Sequence, residues 1–171
     1  IHELDWIDSM PEYPVRISRI GRYIALPADF QGVELEKYIY CDNLYQGYLS
    51  TQKQDLLNEM ASILYNAPKI KTNAAEKLST FYWFASLKEL LARTFPHFLQ
   101  PAASVSSENL LEQGAPLGQR LQEAMNAQIR ALTKGDITKE KQVLSMDTWR
   151  ALAELDAQAK EYEELKRQYG K

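Results

Sequence analysis

The chain is poor in the residues from which catalytic and metal centres are usually built: 171 residues include two histidines, His2 and His97, and one cysteine, Cys41. A zinc site takes three or four His, Cys or carboxylate ligands at set spacing, and the sequence offers no such cluster. A single cysteine excludes an internal disulfide framework and fits a reducing compartment. Cys41 has no basic neighbour to activate its thiol, so it reads as a packed side chain and would be a nucleophile only with His97 folded against it. His97, between Pro96 and Phe98, reads as a structural or surface histidine. A Gly-x-Ser-x-Gly elbow is also missing, which removes a common serine nucleophile.

Two glycine-containing stretches fail as ligand loops. Gly114-Ala115-Pro116-Leu117-Gly118-Gln119-Arg120 has the wrong spacing for a phosphate loop, with neither the Lys-Ser/Thr pair nor a preceding strand. It reads instead as a helix start with proline in the first turn. Gly135-Asp136-Ile137-Thr138 lacks the alternating oxygen ligands of a calcium loop and reads as a turn between helices. No cofactor, metal or catalytic residue is expected, and the chain is read as non-enzymatic.

Strong charge of either sign is lacking as well. A net charge of −3, with 25% charged residues, argues against a nucleic-acid partner, which needs a concentrated basic face. The densest basic cluster, Arg16, Arg19 and Arg22, is diluted by Asp5, Asp8, Glu12 and Asp29 and reads as a solvated hairpin face. No apolar run approaches the roughly 20 residues that span a bilayer, and the first residues lack a signal-peptide pattern. The expectation is a soluble cytoplasmic protein without membrane contact. The chain starts at Ile1, so it is expected to be trimmed or part of a longer product.

What is present is an ordinary globular share of hydrophobic residues, 45%, enough for a core without staples. Val15-Arg16-Ile17-Ser18 alternates apolar and polar residues as a half-buried strand does, and Tyr23-Ile24-Ala25-Leu26 is its partner across a turn at Gly21. Such a hairpin is barely stable alone, so it should lie on helices or pair with another chain. From Val33 the period becomes helical. Leu35, Tyr38, Ile39, Asp42, Tyr45, Tyr48 and Leu49 share one face. Ser50 or Thr51 then offers an N-cap for a second helix carrying Leu56, Leu57, Met60, Ala61 and Leu64, which ends at Asn66–Pro68. A third helix over 74–94 holds Leu78, Phe81, Tyr82, Trp83, Phe84, Ala85, Leu87, Leu90 and Leu91, and reads as the central one. Residues 100–116 are a linker. Leu117, Leu121, Met125, Ile129 and Leu132 follow as a narrow stripe ending before Gly135, then a brief helix near Thr138–Val143. A last helix spans roughly Asp147 to Gln168, with Trp149, Leu152, Leu155, Ala159 and Tyr162 on its apolar side and Glu163 spaced to pair with Arg167.

The expected fold is mainly α: a multi-helix bundle with a short N-terminal β-hairpin and a C-terminal helical segment. Residues 1–99 form the hairpin and three-helix core, and 117–171 form C-terminal helices, either separate or packed on the core as one domain. The residues singled out are Asp42, Tyr38, Tyr45, Trp83 and Trp149, as structural or interaction residues. Asp42 lies in an apolar stripe with two tyrosines, so it should be partly buried and hydrogen-bonded. Ten tyrosines and three tryptophans suit interfaces as well as cores.

Three stretches carry a family likeness. Tyr23-Ile24-Ala25-Leu26-Pro27-Ala28-Asp29, Tyr40-Cys41-Asp42-Asn43-Leu44-Tyr45-Gln46-Gly47-Tyr48-Leu49 and Ala61-Ser62-Ile63-Leu64-Tyr65 resemble small phage and prophage proteins of bacterial genomes. Thr133-Lys134-Gly135-Asp136-Ile137-Thr138, with Val143 and Trp149-Arg150-Ala151-Leu152, is similar to their C-terminal part. The resemblance implies a tail or head assembly factor that binds other virion proteins or itself, and it transfers no site residues. The leading expectation is therefore a non-enzymatic interaction or assembly factor. A small-ligand-binding or regulatory helical domain is the alternative, with a pocket between the third helix and the Asp42 helix. An enzyme comes third, and would need Asp42, His97 and another titratable group to converge.

Overall fold

A computed structural model describes residues 12–99, 126, 127 and 129–169. The expected linker 100–116, and Leu117, Leu121 and Met125 of the following stripe, lie outside them. The fold is mainly α with one two-stranded hairpin. Strands β1 (Arg19–Ile20) and β2 (Tyr23–Ile24) precede helices α1 (Leu35–Thr51), α2 (Gln54–Leu64) and α3 (Ala74–Thr94). A 3-10 turn (Ile137–Lys139), α4 (Glu140–Leu144) and α5 (Thr148–Tyr169) follow. The chain divides into two compact units, each made of two stretches: Ile1–Phe30 with Leu44–Leu90, and Gln31–Asn43 with Leu91–Lys171.

In the first unit, β1 and β2 pair antiparallel with Arg19 opposite Ile24 and Ile20 opposite Tyr23. Gly21, at φ +57°, opens a two-residue turn in which glycine carries the positive φ. A turn this tight pairs the residues immediately beside it, so the first strand lies at 19–20 and not over Val15–Ser18. The burial of that preceding stretch is also the reverse of a strand with its apolar side inward. Pro14 and Ile20 are buried and Arg16 is half-buried, while Val15 and Ile17 are exposed. Arg16 has a reason to turn in: its guanidinium lies 5.5 Å from the centre of the Trp83 ring, and its Nε donates to the Leu26 carbonyl at 2.7 Å.

Helices α2 and α3 are built as their periodicity requires, with caps the hydrophobic pattern does not reveal. Leu57, Met60, Ala61 and Leu64 are the buried face of α2, each of the larger three contributing about 1.5–3 kcal/mol by burial. The expected cap at Ser50 or Thr51 is not used. Helix α1 runs through Thr51, whose hydroxyl donates back to the Gly47 carbonyl at 2.7 Å. Gln52, at φ +57°, closes α1, and Lys53 takes the N-cap position of α2 without a side-chain bond. At the other end of α2, Asn66 adopts φ +47°, with its amide bonded to the Ile63 carbonyl and that of Ala67 to Ser62. This is a left-handed helix termination, so α2 stops through Asn66 itself and Pro68 only follows. Asn73 and Glu76 cap α3 reciprocally: the Glu76 amide donates to Asn73 Oδ1 at 2.9 Å, and the Asn73 amide to Glu76 Oε2 at 2.8 Å, the capping-box arrangement.

The mid-section of α3 from Trp83 to Leu87 is buried at five consecutive positions, as the near-absence of polar residues implied, though Leu78 and Tyr82 are exposed. Phe30 packs edge-on to Trp83 and Phe84 with ring centres 6.4 and 6.3 Å apart. Its φ of +62° is costly for a bulky residue, and complete burial of the ring offsets that cost.

The second unit is organised by α5. Thr148, Ala151, Leu152 and Leu155 form its buried face. Asp147 caps it, Oδ1 accepting from the Arg150 amide at 2.9 Å, while Oδ2 accepts from the Gly32 amide at 2.6 Å. Around this carboxylate two distant stretches of chain are laced together. The Thr148 amide and hydroxyl both donate to the Val33 carbonyl, at 2.8 and 2.7 Å, and the Leu35 amide donates to Met146 at 2.8 Å. Before the 3-10 turn, Lys134 takes the left-handed position at φ +55° and Gly135 follows at φ +82°, its amide on the Arg130 carbonyl. Asp136 then caps the turn through Thr138, whose hydroxyl and amide hold its carboxyl below the usual range.

Candidate functional site

Of the residues singled out from the sequence, Tyr45 and Trp83 belong to the first unit, and Tyr38, Asp42 and Trp149 to the second. Trp83 is the hub of the first unit. Its indole is fully buried, Nε1 donates to the Ala28 carbonyl at 2.9 Å, and the Tyr65 ring meets it edge-on at 5.8 Å. The Tyr65 hydroxyl donates to the Ile17 carbonyl at 2.8 Å. Burial pushes that phenol up to about 12, the Arg16 charge working against the shift and Glu76 with it. Tyr45 stacks on Phe81 at 5.2 Å, and Lys88 Nζ lies 5.5 Å from its ring centre. The Trp83 indole and the Tyr65 phenol are thus both committed to backbone carbonyls within the unit.

Tyr38 and Asp42 stand one helical turn apart on α1. Tyr38 is buried and Asp42 half-buried, as an acid in an apolar stripe should be. Burial raises the Tyr38 phenol far above its ordinary range, and the Asp42 charge adds to the shift. Cys41, fully buried, is raised for the same two reasons in the same order, with Lys37 opposing. A thiol kept protonated by its surroundings is a poor nucleophile.

Trp149 meets Phe95 edge-on at 5.5 Å. That contact holds the turn after α3, whose His97 and Phe98 amides both donate to Asp156 Oδ1, at 2.7 and 2.9 Å. His97 Nδ1 lies 3.2 Å from Glu163 Oε2. Glu163, spaced in sequence to pair with Arg167, thus reaches the 95–98 turn instead. Grooves open among the described residues of this unit. One of about 500 Å³ is lined by Glu34, Glu36, Glu140, Lys141, Ile137 and Leu144 among others; one of about 310 Å³ includes Ile129, Arg130 and Thr133. Neither is lined by Asp42 or His97. Among the described residues, no group of three or more His, Cys, Asp or Glu is placed to hold a metal ion. Nor is any described helix long and apolar enough to cross a membrane.

The sequence reading placed Tyr162 on the apolar side of the last helix and Val15, Ile17 and Ile24 in half-buried strands, but these side chains lie on the surface. Tyr162, Leu165 and Tyr169 of α5 are all exposed, Tyr169 at 83%. They fall on the face that Ala151 and Leu155 bury earlier in the same helix. Tyr13, Val15, Ile17 and Ile24 are exposed around the hairpin. Their signal in the sequence was an apolar periodicity, which states that a side chain seeks cover without stating whose. No protein-family model matches the chain, and no curated protein or solved structure is significantly similar to it.

Proposed function

We propose that the protein is a non-enzymatic interaction or assembly factor of phage or prophage type, acting in tail or head morphogenesis by binding other proteins. The observation that carries the reading is the second half of α5, where the apolar face continues past its buried stretch through exposed Tyr162, Leu165 and Tyr169. Contiguous exposed apolar surface marks protein contact sites, and tyrosine is enriched in them. The interior supports the same reading, because its titratable groups are committed to packing: Tyr38 and Cys41 are held neutral, and Tyr65 bonds backbone. The phage element rests on the likeness in residues 23–29, 40–49, 61–65 and 133–138.

Co-expression of the tagged chain with the products of its neighbouring genes tests this. A stoichiometric complex with a head or tail component is the expected result. Failure of every neighbour to co-purify, at concentrations where the chain itself is folded, overturns it.

A further inference from the structure

Helix α5 stops packing before it stops being helical. Its face of Thr148, Ala151, Leu152 and Leu155 is buried, yet every residue from Glu164 to Tyr169 is exposed. A stretch of helix without tertiary cover is marginal in water. This one still carries an apolar stripe, for Tyr162, Leu165 and Tyr169 are 69%, 52% and 83% exposed. At about 100° per residue the three lie within roughly 60° of arc. They have heptad spacing: Leu155, Tyr162 and Tyr169 take one core position and Leu165 the other. Gln158 occupies the preceding core position, so the apolar seam starts at Tyr162.

The two edges of the stripe carry opposite charges. Glu161 and Lys166 stand about 40° outside it, one on each side, at the positions that flank a coiled-coil seam. Both are exposed, and neither side chain has an ion pair or hydrogen bond among the described residues. Glu161 has no basic residue three or four positions away on its own helix, so no intrahelical pair is open to it. Glu163, the one acid at that spacing from Lys166, lies 3.2 Å from His97 Nδ1. The remaining charges of the segment, Lys160, Glu163, Glu164 and Arg167, fall on the side of the helix away from the stripe. Two such helices related by a twofold axis parallel to them set each acidic edge against the other's basic edge. Run antiparallel, they set like edges together, and Glu161 never meets Lys166. The stripe is therefore complementary to itself in one orientation.

We infer that the second half of α5 pairs in parallel with the same segment of a second copy. The seam is Tyr162, Leu165 and Tyr169, closed on both sides by Glu161–Lys166 ion pairs between copies. The inference rests on the interaction reading above and names the partner of that surface. Three layers fall short of a standard interface, so the pairing should be weak, half complete between about 10 μM and 1 mM.

Sedimentation equilibrium across that range should show monomer and dimer, with Tyr162→Asp weakening association at least tenfold. Glu161→Lys and Lys166→Glu each put like charges together and should each weaken it at least threefold. An equimolar mixture of those two variants should regain the wild-type affinity, because each then meets its opposite. All three side chains are exposed, so the dilute variants should unfold at the temperature of the dilute wild type. Amide exchange at residues 164–169 should slow as the dimer fills. A wild type still monomeric at about 1 mM, association indifferent to Tyr162→Asp, or a mixture no tighter than the single variants overturns the inference. So does protection at 164–169 that is complete at the lowest concentration, which gives the stripe to another segment of the same chain. The two readings fail separately. If the wild type stays monomeric yet captures a neighbouring gene product, only the dimer falls; if it dimerises and captures none, only the binding of other virion proteins falls.

Discussion

Replacing Asp147 with alanine is the most searching test of how the second unit is held. The carboxylate serves two amides at once, Arg150 at 2.9 Å in the first turn of α5 and Gly32 at 2.6 Å, 115 positions away in the chain. Loss of the cap costs about 1 kcal/mol. A hydrogen bond to a charged acceptor contributes about 1.5–3 kcal/mol, but Gly32 is exposed and water replaces part of it, leaving about 1 kcal/mol. Asp147→Ala should therefore destabilise by about 2 kcal/mol, a fall of roughly 4–8 °C in melting temperature for a chain of this size. Asp147→Asn keeps an N-cap oxygen of equal quality and loses only the charge, so its cost should be about half. Urea unfolding should show the midpoint moving with an unchanged slope. Hydrogen exchange should show lost protection at Leu35 and Thr148, whose amides bond Met146 and Val33 across the same seam. A loss below about 0.5 kcal/mol for the alanine variant, or equal losses for alanine and asparagine, would refute this account of the seam.

Two further outcomes follow from the buried hydroxyl and thiol groups. Tyr65 is neutral in the fold with its pKa raised from 10.0 to about 12. The stability tied to its neutral form is complete below about pH 10 and lost as pH rises through about 12. The stability curve of Tyr65→Phe, measured by urea midpoints from pH 8 to 12, should lack that part of the alkaline decline; an unchanged decline counts against the assignment. Cys41, fully buried and with its thiol raised, should react with an aromatic disulfide reagent only as fast as the protein opens. Stoichiometric labelling of native protein within minutes at pH 8 would show that the thiol is accessible.

The helices were legible because their burial is periodic, and α3 begins and ends where its pattern does, at Ala74 and Thr94. Boundaries set by a single side chain were harder to read. Thr51 has the spacing of a cap with Gln54, but its hydroxyl is already committed to Gly47 one turn back, and spacing cannot report which of two bonds a hydroxyl makes. The Asn73–Glu76 cap was visible in principle, since an Asn three residues before a Glu at a helix start is a recognisable pattern. The bond from Gly32 to Asp147 was not, because local sequence says nothing of a partner 115 residues away. Among the singled-out residues, Asp42 and Tyr38 do share a face of α1, whereas the aromatic hub gathers Trp83 with Phe30, Tyr65 and Arg16 from four separate stretches.

The hairpin shows where such a failure carries meaning. Val15 and Ile17 alternate with Arg16 and Ser18, and an alternation of that kind normally places the apolar set against the core. Here the core takes the arginine, because the Trp83 ring and the Leu26 carbonyl give its guanidinium both a π face and an acceptor. With Arg16 turned in, its neighbours Val15 and Ile17 are left exposed. A sequence indifferent to that outcome would have polar residues at 15, 17 and 24, where exposure would carry no cost. The chain instead keeps Val, Ile and Ile there, all exposed. Natural sequences tend to break local rules where function requires it, and this stretch half-buries its arginine while displaying its β-branched residues.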